Sequence, residues 1–569
     1  MLTTGKTTGK TRAIPPRTAR PRSVTALAAG AVALALVLTG CAVSTPESAG
    51  GDQVLRVWSG SEAPLTRNFN PFAASSAAHF TFGPIYEPLF FFNQLSADPP
   101  TGLIGDEFSF SEDGTVLTVT IKPDQKWSDG TALTASDVAF TFGYGANVDP
   151  DLVSAEATDV RTVTLTYSAP KFTAASLILG ATWILPEAIW NKITDYASET
   201  NSDPVGSGPY TLKSFTDAAY TVEANPNFRD GAPAVKTVQV IGVNSNQSSE
   251  DLLRTGKLDW VGQFIANPDT ITADGRISTV NFQQDPTVLI TCSSEALGCS
   301  GAQTDPAVRQ ALNAAIDRGE ISSKAFSGLS GVVSPSFALI PRDEKWVTDP
   351  ALLRSPQRAD EAQAASILET AGYVRGSDGF YGKNGTTIEI DLFSPDGWTD
   401  YNDAAKLITE AAADAGIRLN NRTVSDAEYW TPLGSGTFQM ALYGLPQSLV
   451  ADPYSNYDRF FATSSTAPVG DSPDGGLNLA RYSNPIVDAA VAAASATEDE
   501  GAKREAYAAI QAEIARDLPY IPVVLNASQA FYNTRDFTGW PTEQERFAAP
   551  LPYLATAQAV ILARLKPVK

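Results

Sequence analysis

Trp127-Ser128-Asp129-Gly130-Thr131-Ala132-Leu133-Thr134-Ala135-Ser136-Asp137-Val138 is the stretch from which the rest of the chain is best read. Its second half carries a helix start. Thr134-Ala135-Ser136-Asp137 precedes the apolar Val138-Ala139-Phe140-Thr141-Phe142, and a Ser or Asp there can accept from the free amides of a first helical turn. Trp127, at its head, is a core candidate. Upstream, Leu103 to Lys122 passes through Glu112-Asp113-Gly114-Thr115, a turn signal between two β-rich runs, which predicts a hairpin. Val54-Leu55-Arg56-Val57-Trp58 alternates and predicts the opening strand of a sheet; Val160 to Tyr167 alternates again. From Asp305 the texture turns helical, over 306–316, 359–371, 403–415 and 502–517, with strands predicted at 387–393 and 438–443. Strands and helices thus alternate in two unequal halves, which favours α/β lobes over a sandwich or a helical bundle.

The chain has 569 residues, with 41 Lys+Arg against 63 Asp+Glu, one His and three Cys. At about 150 residues per domain this is material for three or four domain-sized units, ample for a core without metal or disulfide staples. A net charge of −22 argues against a nucleic-acid partner, because phosphate binding needs clustered Lys and Arg. A single His and no Cys cluster argue against a zinc enzyme or a His-based triad, so a binding protein is favoured over an enzyme and no cofactor is expected.

Residues 1–40 hold Lys6, Lys10, Arg12, Arg17, Arg20 and Arg22, and the first acidic residue is Glu47. The Val24–Leu38 run of Ala, Leu and Val is shorter than the roughly 20 residues of a bilayer span and reads as the core of a secretory signal. It ends in Leu38-Thr39-Gly40-Cys41, which resembles the lipobox of bacterial lipoproteins. That resemblance implies cleavage before Cys41 and its acylation, with residues 41–53 as lipidated Cys and flexible tether; a Cys following a soluble signal is the alternative. The expected location is the outer face of the cell membrane, held by lipid. Cys292 and Cys299 bound a short loop, CSSEALGC. In an oxidising compartment they are expected to pair, a closure worth about 2.5 kcal/mol.

Six blocks in order resemble the family 5 extracellular solute-binding proteins, the oligopeptide- and dipeptide-binding components of ABC importers. They are Ile85-Tyr86-Glu87-Pro88-Leu89; the Trp127–Val138 stretch; Val205-Gly206-Ser207-Gly208-Pro209-Tyr210; Val308-Arg309-Gln310-Ala311-Leu312 through Arg318; Arg481-Tyr482-Ser483-Asn484-Pro485 with Val487-Asp488; and Ala506-Tyr507 through Ile521-Pro522. The resemblance implies an α/β type II periplasmic-binding-protein fold, two lobes around a ligand cleft with an extra domain inserted in the first lobe. By analogy lobe I takes residues 54–95, 205–286 and 526–569, the inserted domain 96–204, and lobe II 287–525. In the 205–210 segment, the two glycines are expected to supply backbone angles other residues avoid.

The same resemblance implies function by lobe closure: an oligopeptide or related solute is captured and delivered to an ABC importer permease with its ATPase subunits, the receptor itself being a monomer. Peptide binders of the family pair the ligand ammonium with an Asp shortly after a strand. Here that stretch is Tyr443-Gly444-Leu445-Pro446-Gln447-Ser448, in which the Asp position is replaced by Gln or Ser, and only Asp452-Pro453 follows. Asp452 either substitutes as ammonium partner or caps the turn before Pro453. An oligosaccharide stacked on aromatic faces is the alternative cargo. Expected ligand contacts are Trp430 with Tyr429, Tyr443, Asp452, Tyr457, Trp540 and the single His79. A secreted hydrolase is the distant alternative, with Ser168-x-x-Lys171 as its best support, although Pro170 interrupts that motif. A ligand-sensing or adhesin role on the same fold is the third reading.

Overall fold

Leu55 and Val57 of the first strand are fully buried while Val54, Arg56 and Trp58 are only partly so, the alternation that seats one strand between two layers. The computed structural model describes residues 53–73, 78–473, 476–542 and 544–568. Residues 1–40 and Cys41 therefore lie outside the described residues. The Val54–Trp58 strand belongs to a ten-stranded mixed sheet. Its order is Arg418–Val424, Glu389–Pro395, Met440–Gly444, Ile277–Thr291, Tyr520–Asn533, Trp260–Val261, Val54–Trp58, Thr237–Ile241, Ala219–Ala224 and Tyr210–Phe215.

Two strands in this order are far longer than the others. Ile277–Thr291 and Tyr520–Asn533 pair antiparallel along their whole length. At one end they carry the parallel strands Glu389–Pro395 and Arg418–Val424 through Met440–Gly444. At the other they carry Val54–Trp58 through Trp260–Val261. The buried side chains divide accordingly. One core gathers Leu55, Tyr86, Trp190, Tyr220, Trp260, Phe282 and Ile561; two others, built only from residues 288–524, gather Leu312, Ile390, Ile408 and Met440 on one face and Phe337, Tyr457, Phe461 and Tyr520 on the other. A separate four-stranded antiparallel sheet, Gly105–Phe110, Val116–Ile121, Thr162–Tyr167 and Leu152–Ala157, has its own core of Leu117, Val119, Trp127, Val138 and Val163.

The hairpin and the helix start of the Trp127–Val138 stretch are both present. The helix runs Ala135–Phe142, and its N-cap is Thr134 rather than Ser136 or Asp137. Asp137 sits three residues in and reaches back to the Thr134 amide at 2.8 Å, which is a capping box. The helix expected at 403–415 begins a turn earlier, as Thr399–Asp414. Its polar first turn hid the start, because Asp400 and Tyr401 are buried for a reason that periodicity does not record.

Three of the sequence blocks lock together through backbone. Gly208 donates to the Ile85 carbonyl at 2.8 Å, Tyr210 to that of Pro84 at 2.9 Å, and Ser128 to that of Gly206 at 2.9 Å. Glu87 at the centre is buried in a bidentate ion pair with Arg229, at 2.5 and 3.0 Å. The two glycines are needed for contact, not for unusual backbone angles, which corrects the expectation. A Cβ on Gly206 would lie 2.0 Å from the Ile85 carbonyl oxygen, and one on Gly208 2.3 Å from that of Pro84. Gly256 is the opposite case, with a positive φ of 68° and open space around it. Urea unfolding distinguishes the two causes: Gly208→Ala is expected to cost about 2–3 kcal/mol or more, and Gly256→Ala only about 1 kcal/mol.

Candidate functional site

Midway along the two long strands the ladder is irregular. The register shifts between Gln283 and Asp285 and again between Thr287 and Val288, and Asp285 faces Asn526 across the pair. Such shifts re-aim side chains out of strict alternation. Aromatic groups from both ends of the sheet meet here. From the Leu55 side come Trp58 and Tyr553, edge to face at 5.9 Å. From the helix Thr399–Asp414 comes Tyr401, with its hydroxyl 3.4 Å from Thr287 Oγ1 and Trp398 edge-on at 5.2 Å. The strand Met440–Gly444 leads into the same place: a Cβ on Gly444 would stand 3.1 Å from the Tyr401 hydroxyl, and Gln447 donates its amide to Asp285 Oδ1 at 3.3 Å.

The electrostatics of this junction are unusual. Burial pushes the Asp285 carboxyl up to about 6, opposed by the Gln447 amide, Gln284 and the charge of Arg342. Burial pushes Asp400, in the first turn of its helix, up to about 7 despite backbone donors and the Asn246 side chain. Glu62 is raised by burial and then by Asp426 and Asp396, which come from the other end of the sheet. Two buried polar atoms of this region, the Trp58 indole nitrogen and Asn526 Oδ1, have no hydrogen-bond partner. Low dielectric makes such groups costly to leave unpaired.

The residues expected at the ligand separate into two groups. Trp430 is 43% exposed, with its indole nitrogen donating to Asp426 at 2.9 Å. Tyr443 lies edge-on to it at 6.2 Å. The remaining expected contacts do other work. Tyr429 is buried and its hydroxyl donates to the Leu442 carbonyl. Asp452 accepts from the Tyr454 amide at 2.9 Å and the Tyr507 hydroxyl at 2.6 Å, and pairs with Lys503 at 3.2 Å, so its charge is used in capping the turn. Tyr457 is buried, donating to the Ser336 carbonyl at 3.1 Å and accepting from Gln511 at 2.9 Å. Trp540 stacks on Tyr532 at 4.9 Å in the core beside Trp260, its nitrogen donating to the Asn533 carbonyl. His79 falls in the short helix Ala78–Thr81, and its side chain lies outside what is described. Cys292 and Cys299 are joined as a disulfide with their Cα atoms 5.5 Å apart.

Trp58, Asp285, Trp398, Tyr401 and Tyr553 were not legible as site residues. Asp285 alone left a trace, an acid inside a long β-rich run. Lys171, the residue behind the hydrolase alternative, is held by Asp149 at 2.8 Å and Asp151 at 2.9 Å, and Ser168 donates to Asp151. A lysine kept charged by two carboxylates does not serve as a base for serine attack. Among the described residues no group of three His, Cys, Asp or Glu could hold a metal.

The fold and cleft define a type II periplasmic binding protein, a non-enzymatic substrate-binding component of an ABC transporter. Residues 100–468 match the family described as bacterial extracellular solute-binding proteins, family 5 middle, and the chain belongs to that family. Family members are extracytoplasmic receptors of ABC importers that bind peptides or related ligands. The chain is 28% identical to Protein XP55 of Streptomyces lividans over 440 residues, 72% of this chain and 73% of that one. It is 25% identical to the glutathione-binding protein GsiB of Escherichia coli K12 over 461 residues, 74% and 80% of the two chains. Its fold is similar to the mannohexaose-bound periplasmic oligopeptide-binding protein of Thermotoga maritima, with TM-score 0.83, 24% identity and coverage of 91% and 99%. It is also similar to AppA of Bacillus subtilis in complex with a nonapeptide, with TM-score 0.74, 21% identity and the same coverage.

The buried Asp400 has a measurable consequence. Its folded pKa of about 7 lies above the ordinary 3.8, so the folded state holds a proton that the unfolded chain releases. This group's contribution to stability therefore falls as pH rises from about 4 to about 7. Asp400→Asn removes the penalty: the variant is expected to melt with the wild type near pH 4 and about 2–4 °C above it at pH 8, measured by calorimetry without ligand.

Proposed function

We propose that this chain is a lipid-anchored extracytoplasmic receptor that captures a peptide between two lobes and delivers it to an ABC importer permease. Lobe I comprises residues 54–95, 205–286 and 526–569 with the inserted domain 96–204, and lobe II residues 287–525. The two strand breaks between these lobes, 286/287 and 525/526, are adjacent across the ladder, where Pro286 pairs with Leu525. Hinge bending there opens and closes the cleft.

The observation that carries this reading is that Tyr553, which pairs with Trp58, lies within electrostatic reach of Tyr401, which pairs with Trp398 from the other end of the sheet. A solute touching both sets makes contacts in the closed form that it lacks in the open one. That differential is what shifts the population, and a swing from 1:99 to 99:1 requires about 5.5 kcal/mol. Peptide is favoured as cargo because the cleft holds a charged carboxyl, Asp285, and because the GsiB relatives are named for a tripeptide. Oligosaccharide is the second reading. It rests on the aromatic faces themselves, on the neutral side chains of Asn526, Ser528 and Gln447, and on the mannohexaose bound to the Thermotoga maritima neighbour.

Thermal unfolding of the purified protein against mixed di- to hexapeptides, glutathione and mixed oligosaccharides separates the two. At a hundredfold excess over Kd a true cargo stabilises by about 2.7 kcal/mol, and peptides are expected to raise the midpoint while neutral sugars leave it unchanged. Trp398→Ala is expected to weaken binding of the responding peptide by about tenfold, a stacking contact's worth. The anchor is tested in cells: Cys41→Ser moves the protein from the membrane fraction to the medium, and a variant that stays membrane-bound removes the lipid from the proposal.

A further inference from the structure

Arg342 divides its guanidinium between two tasks. Its Nε and Nη2 donate to the two carboxylate oxygens of the fully buried Asp343, at 2.7 and 2.8 Å. Its Nη1 donates to two backbone carbonyls, that of Ser448 at 2.9 Å and that of Gln94 at 3.0 Å. In the lobe division proposed above, Asp343 and Ser448 belong to lobe II and Gln94 to lobe I. A planar guanidinium suits this arrangement, because the edge bound to Asp343 fixes the plane and leaves the third nitrogen already aimed. The acceptor is held as well. Asn93 donates to the Arg546 carbonyl at 2.7 Å, and the Gln94 side chain donates to Gln284 of the long strand at 3.3 Å. Two anchored segments, one from each lobe, are thus joined by a charge-assisted hydrogen bond.

A second contact crosses the same boundary elsewhere. The turn Phe172–Ala174 of the inserted domain lies against two helices of lobe II, Tyr454–Phe461 and Pro485–Ser495. The Tyr454 hydroxyl interacts with Thr173. Lys171, fixed by Asp149 and Asp151, lies within electrostatic reach of Asp458. Neither contact uses Trp58, Trp398, Tyr401 or Tyr553. Both are lost when the lobes separate, whereas the bonds of Arg342 to Asp343 and Ser448 remain within lobe II. The closed form therefore draws stabilisation from the protein itself, and draws it equally for every cargo.

We propose that Arg342 and the inserted-domain turn Phe172–Ala174 form a clasp between the lobes, which biases the receptor toward closure before cargo arrives and raises affinity without selecting what is bound. This rests on the lobe division above and not on the peptide reading.

The test is the distance between paired spin labels in the mature receptor without added cargo. Cys41→Ser leaves no free thiol, since Cys292 and Cys299 are joined. The labels go on Val153→Cys of the inserted domain and Ile486→Cys of lobe II, both exposed positions; Val374→Cys with Ile486→Cys is the control pair inside lobe II. The wild type is expected to lie mostly at a short cross-lobe distance. Arg342→Lys keeps a charge beside Asp343 but loses the fork, and Thr173→Asp turns a carboxylate toward Asp458. Each is expected to lower the closed-to-open ratio about tenfold, the worth of a hydrogen bond to a charged group. Tyr454→Phe, which removes only a hydroxyl, is expected to lower it about threefold. The control distance is expected to stay constant throughout, which separates opening from misfolding. A wild type mostly at the long distance, or two populations whose ratio none of the variants moves, overturns the clasp and leaves the hinged lobes standing. One unchanging cross-lobe distance in every protein overturns the clasp and the hinge together.

Discussion

The antiparallel pairing of Ile277–Thr291 with Tyr520–Asn533 is the constraint on which the rest of the molecule depends. Every other strand of the main sheet reaches its opposite end only through these two, so the cores around Leu55 and around Ile390 communicate by one ladder. A ladder resists shear strongly along its regular stretches and yields where the hydrogen bonding is interrupted. The interruptions at Asp285 and Val288 re-aim side chains out of strict alternation, and the proposed hinge falls between them.

The same junction carries the polar groups on which the proposed cleft rests. The polar groups at the junction are under-satisfied: a carboxylate with two long hydrogen bonds, an orphan indole nitrogen and an orphan amide oxygen. Several buried charges elsewhere have direct partners. Glu87 meets Arg229 in a bidentate pair, Asp343 meets Arg342, and the guanidinium of Arg318 is clothed in carbonyls of Pro522, Asn313 and Pro356. The inserted sheet contributes by a different route. Its own core holds it rigid, and the blocks at 85–89, 127–138 and 205–210 weld it to the first lobe by backbone hydrogen bonds.

Much of the architecture was legible in the chain. The opening strand, the hairpin through Glu112–Thr115, the capped helix after Thr134 and the helices beyond Asp305 all follow from periodicity and punctuation, because those signals act over a few residues. Where local rules erred, a distant neighbour had intervened. Gly206 and Gly208 looked like torsional necessities and are in fact contact necessities, imposed by carbonyls more than a hundred residues away. The helix starts earlier than the pattern predicts, at Thr399, because Asp400 and Tyr401 in its polar first turn are buried. Asp452 offered two roles to a reader of sequence, and Tyr507 with Lys503, more than fifty residues on, decided between them.

The sequence by itself determined the family and the α/β class, because those rest on local motifs and periodicity. The cleft was decided only in three dimensions. Trp58, Asp285, Tyr401 and Tyr553 are spread over most of the chain, and no short-range pattern marks an aromatic residue as facing a cleft instead of a core. Trp540 and Trp398 look alike in sequence, yet one is stacked inside a core and the other remains 37% exposed on the edge of Tyr401. The physical reason is that burial is a property of the assembled layers: a side chain's partner is chosen by which strands lie beside it, and in this fold the strand order is set by two long crossings that join opposite ends of the chain.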